Sequence, residues 1–67
     1  MASFRISFVN HLPDSTGHVH RCVQREIVTR SGAAESAVEI AKREFERLEG
    51  TPRWDLRAHF LECQLLG

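Results

Sequence analysis

Three of the residues able to act as ligands or nucleophiles fall together as His18-x-His20-x-Cys22. In an extended chain alternate residues project to one face, and imidazole and thiolate are both ligands for zinc or copper. His11, across a hairpin from this stretch, would offer a fourth. Structural zinc sites favour CxxC and HxxxH spacings on turns and helices. A strand face of half-exposed histidines, with Cys22 packed as a small apolar group, accounts for the same residues without a metal. The expectation is a chain with no metal and no cofactor, and a metal site at His18, His20 and Cys22 is the further alternative.

Nucleophilic catalysis would need a thiol beside a base. Cys63 and His59 are four residues apart, which in a strand places them on one face but roughly 13 Å from each other. They would not touch, and a chain this short leaves little volume for an enclosed pocket. No catalytic residue is assigned, and the protein is expected not to be an enzyme. With two cysteines and no CxxC pair, no disulfide framework is available. Both thiols are expected to be reduced and partly buried.

The charged residues offer a recognition surface instead. Nine basic and nine acidic side chains give no net charge, so no global field draws the chain to polyanions. Arg5, Arg21, Arg25 and Arg30 oppose only Asp14 and Glu26 in residues 1–30. An arginine-bearing sheet face of that kind can bind nucleic acid or acidic peptides. RNA-binding sheets add exposed aromatics for stacking, whereas Phe4, Phe8, Phe45 and Phe60 are expected in the core. Trp54, the only tryptophan, is either an exposed anchor of the kind enriched at interfaces or a cap on the open end of the core. Arg5, Arg21, Arg25 and Trp54 are therefore the candidate interaction surface.

The elements that position these residues follow from periodicity. Phe4, Ile6 and Phe8 alternate with Arg5 and Ser7, which predicts a strand. Residues 11–17, His-Leu-Pro-Asp-Ser-Thr-Gly, collect turn formers and predict a hairpin loop. Residues 18–29 carry Val19, Val23, Ile27 and Val28 and predict a second, antiparallel strand. Its alternation is impure, because Arg21 and Arg25 share parity with Val19, Val23 and Ile27. A bulge or a twisted edge would resolve the conflict, and the buried face is left open.

Ser31 is the expected helix N-cap. Ala34, Ala37, Val38, Ala41, Phe45 and Leu48 form a stripe at spacings of three and four, with Ile40 at its flank. Glu39 is expected to pair with Arg43 one turn on. Gly50 and Pro52 stop the helix near Leu48 or Glu49. Residues 54–57 read as a turn or helical loop. His59, Leu61, Cys63 and Leu65 alternate as a third strand, although Leu56, Phe60 and Cys63 also fit a helix.

Together these predict a single α+β domain of β-β-α-β order, a three-stranded, mainly antiparallel sheet with one amphipathic helix on one face. The order resembles small uncharacterised bacterial and phage proteins in which a hairpin leads to a helix of the Ser36-Ala37-Val38-Glu39-Ile40-Ala41-Lys42-Arg43-Glu44-Phe45 kind, then a Trp-containing turn and a last strand. Its shared marks are packing residues, so the resemblance implies the fold and no catalytic or binding position. No stretch reaches the roughly 20 apolar residues of a membrane span or the apolar run of a signal peptide, so a cytoplasmic location is expected.

One helix covers only one face of such a sheet. The functional expectation is a small non-enzymatic interaction protein, self-associating as a homodimer through the uncovered face or an edge strand, with an unknown protein partner. A nucleic-acid-associated module is the alternative.

Overall fold

Residues 2–31 form one long hairpin in the computed structural model, which describes residues 1–67. Strand β1 (Ala2–Pro13) pairs antiparallel with β2 (Val19–Ser31). The turn between them is closed by Asp14 N–H donating to the His18 carbonyl at 2.7 Å and Gly17 N–H donating to the Asp14 carbonyl at 3.1 Å. Gly17 takes the left-handed conformation (φ 88°) that completes this turn without a Cβ clash. Helix α1 (Ala34–Glu49) and a 3-10 turn (Trp54–Leu56) follow, and β3 (Phe60–Leu65) returns antiparallel along the other side of β1. The strand order is β2-β1-β3, so the expected β-β-α-β fold and a third strand, not a helix, are found.

The parity conflict in β2 is resolved by a bulge. Phe8 faces Arg25 while Val9 faces Val23, which leaves Gln24 as an extra residue. Above the bulge, Arg25, Ile27 and Thr29 lie on the helix side with Phe8, Ile6 and Phe4. Below it the parity inverts: Cys22 and His20 share the helix side with Asn10 and Leu12, while Val23 and Arg21 turn to the open side.

The core lies between α1 and one end of the sheet. Phe4, Ile6 and Phe8 pack on Ala37, Ala41, Phe45 and Ala58, and the rings of Phe8 and Phe45 stack at 4.1 Å. The two alanines let the helix lie close on the sheet, and Phe45 is its one large side chain in this core. Ala34 and Leu48, the outer members of the expected stripe, are exposed, and Val38 is half-buried.

Several local expectations are corrected. The N-cap position is Ala33, with no side-chain cap, because Ser31 still belongs to β2; its hydroxyl accepts from Ala33 N–H at 3.4 Å. The helix pairs are Glu39 with Lys42 and Glu44 with Arg47, each three residues apart, in place of Glu39 with Arg43. Cys63 is exposed, not partly buried, because β3 is a short edge strand. Phe60 faces away from the core, opposite Val9, and meets the His11 ring edge-on at 4.7 Å. The helix does stop at Glu49, with Gly50 left-handed (φ 64°) and its N–H donating to the Glu46 carbonyl.

Candidate functional site

The residues of the metal alternative lie at the turn and the first residues of β2, where they serve other bonds. No group of three or more His, Cys, Asp or Glu side chains stands in a geometry that could hold a metal ion. His20 Nε2 bonds Asp14 Oδ2 at 2.7 Å, and His18 Nδ1 bonds the Thr16 hydroxyl at 2.8 Å. Cys22 turns its sulfur to the His20 carbonyl. Asp14 Oδ1 also accepts from Thr16 N–H, the Thr16 hydroxyl and His18 N–H. Led by the bond from His20 and then that from Thr16, these hold the Asp14 carboxyl down at about 2. The histidines thus belong to the architecture of the turn.

The four candidate interaction residues divide between two faces. Arg5 and Arg21 stand on the face without the helix, as the register with Val28 and His11 requires. Arg21 forms a two-pronged ion pair with Glu62 of β3. Bonding to Arg21 lowers the Glu62 pKa, and the same bond raises that of Arg21. Arg21 is level with His11 and Glu62 with Ser7, so the pair bridges the sheet over Val9, which is 0% exposed although no helix covers it. Arg5 reaches Gln64 at 3.1 Å and Glu26 at 3.9 Å. These pairs span the middle of the open face from β2 to β3.

Arg25 points to the helix side. Its guanidinium holds Glu49 at the end of α1 at 2.8 and 3.1 Å and lowers that carboxyl's pKa, and Gln24 adds a bond to the same group. Trp54 is half-buried. Its ring meets Phe8 edge-on at 6.0 Å and lies 5.8 Å under the Lys42 ammonium, and its backbone N–H donates to the Glu46 carboxylate at 2.9 Å. Both residues fasten the helix to the sheet.

A different feature is left without a partner: the outer edge of β2. Along β1, Ser3 and Val9 exchange backbone bonds with the β3 side, through Gly67, Leu66 and His59. Even-numbered residues of β1 therefore face β2, and Thr29, Ile27 and Arg25 receive them. The N–H and C=O groups of Glu26, Val28 and Arg30 consequently point outward, and no other backbone or side-chain bond reaches them. The side chains of these three are exposed, Val28 by 60%. Arg30 has no carboxylate within 4.0 Å, and Glu26 has only the long contact to Arg5. The sequence pointed to Arg5, Arg21 and Arg25 because all are arginines in one strand pair. Finding Glu26, Val28 and Arg30 required knowing that β2 is an edge.

An open depression of about 330 Å³ is lined by Glu35, Ser36, Glu39, Ile40 and Arg43 of α1. No helix is long and apolar enough to cross a membrane. Comparison with known protein families, curated proteins and solved structures finds no match to this chain.

Proposed function

We propose that this protein is a small, non-enzymatic interaction protein that assembles with a second copy of itself through the edge of its sheet. The observation that carries this reading is the unpaired outer edge of β2 at Glu26, Val28 and Arg30. Edge strands of natural proteins are usually blunted by charged side chains, especially lysine, by proline, by a bulge or by a covering segment. On β2 the bulge at Gln24 lies outside residues 25–31, which contain no proline or lysine and whose charges, Glu26 and Arg30, are of opposite sign. The edge is favoured over the open face because association through the face would desolvate the Arg21–Glu62 pair, at a cost that charge pairing seldom exceeds.

Nucleic-acid binding is the weaker reading, because Arg5, Arg21 and Arg25 are already engaged by Glu26, Glu62 and Glu49. Free thiols at Cys22 and Cys63 support a reducing, cytoplasmic setting. Sedimentation equilibrium at high micromolar concentration tests the assembly. A mass twice that of one chain is expected, and the mass of one chain would remove the proposal.

A further inference from the structure

We infer that the second copy docks antiparallel on residues 25–31 of β2, about a two-fold axis at Val28, and joins two three-stranded sheets into one. This rests on the self-association reading above and adds its register. The bulge at Gln24 ends the regular edge on one side and Ser31 ends the strand on the other. The unbroken stretch is therefore 25–31, and its midpoint is Val28. An axis there uses the whole stretch.

Side-chain parity and charge select the same register. Antiparallel partners must share a face, so Glu26, Val28 and Arg30 of one copy meet the same three in the other. An axis at Glu26 sets carboxylate against carboxylate, and one at Arg30 sets guanidinium against guanidinium; both oppose like charges. An axis at Ile27 leaves Arg30 without Glu26, and one at Thr29 sets Arg30 against Val28. With the axis at Val28, the Glu26 of each copy faces the Arg30 of the other, and the two exposed valines pack together. Because the backbone groups of all three residues point outward, each facing pair exchanges two N–H···O bonds, about six in total.

Charge exchange tests the register. Glu26→Arg places Arg against Arg at both ends of the ladder, and Arg30→Glu places Glu against Glu. Each single variant should weaken the dimer about tenfold or more. An equimolar mixture of the two restores both opposite-charge pairs in the heterodimer, as does the double variant Glu26→Arg/Arg30→Glu in its homodimer. Sedimentation reads the masses, and far-ultraviolet circular dichroism verifies that each variant is folded. Folded single variants that dissociate and recover on mixing establish the register. A wild-type dimer whose single variants remain dimeric, or do not recover on mixing, overturns the register and leaves self-association standing. A monomeric wild type overturns both.

Discussion

At the scale of single residues, the polar side chains of this protein mostly hold its own backbone in place. Asp14 is the clearest case. Its carboxylate takes three hydrogen bonds from Thr16 and His18 and one from His20, and each is stronger to the charged form. A carboxyl held at about 2 in the fold and titrating near 3.9 when unfolded binds fewer protons in the folded state. Its contribution to stability is therefore complete above the unfolded value and lost as pH falls through the folded one. Thr16 and His18 amide shifts should hold steady at pH 4 and move together as pH approaches 2. A midpoint near 4 would mean that the turn does not retain the carboxylate. A turn here was legible in the sequence because its chemistry is local, aspartate and glycine acting within a few residues, although the loop expected from His11 starts only at Asp14, since His11–Pro13 continue β1 paired with β2. The arginines were not, because Arg21 and Arg25, four apart, would share a face in a regular strand. The bulge at Gln24 sends them to opposite faces, to Glu62 and Glu49, carboxylates far away in the chain.

At the scale of elements, β1 and the helix were readable because large apolar residues there recur at a fixed period, and that period survives in the core of Phe4, Ile6, Phe8, Ala37, Ala41 and Phe45. The faces of β2 were not, because its correct reading depends on one extra residue whose position is fixed by distant bonds. Gln24 is anchored by Asn10 on β1 and Glu49 on α1. Asn10 also donates to the Arg57 carbonyl, and its Oδ1 accepts from His59 N–H, while His59 Nδ1 accepts from His11 N–H. These bonds cover the end of the β1 edge where β3 stops, so the ladder does not continue onto the exposed hairpin. Truncation by Asn10→Ala removes them from β1, at a cost of about 1–2 kcal/mol read by urea unfolding. The bulge has a second consequence. Deleting Gln24 would leave Phe8 facing Arg25 and Val9 facing Val23, with every side chain on its present face. The edge would then run unbroken along all of β2. Sedimentation should show stronger or larger assemblies than the wild type, since a long regular edge is a template for pairing. Unchanged association would mean that the bulge does not limit the edge.

At the scale of the whole molecule, the shape is long and thin, 44 × 26 × 14 Å. Residues 11–21, the distal hairpin, are all exposed, so the apolar core lies at the other end and only one face of the sheet helps to form it. A chain of this length has about 3–10 kcal/mol of stability by the usual yield per residue, and the small core argues for the lower part of that range. Pairing at β2 would therefore supply a large fraction of the total: a partner present at about 100 times its dissociation constant adds about 2.7 kcal/mol. Association and folding should then be coupled. If the dimer is the species that melts, each tenfold rise in protein concentration raises the midpoint by about 5 °C, given the entropy of unfolding expected for two chains of this size. Calorimetry over two decades of concentration measures this directly. A midpoint independent of concentration would show that the chain melts as a monomer and that the outer edge of β2 contributes nothing to its stability. A rising midpoint that becomes flat in the Glu26→Arg variant would trace the concentration dependence to the pairing of Glu26 with Arg30.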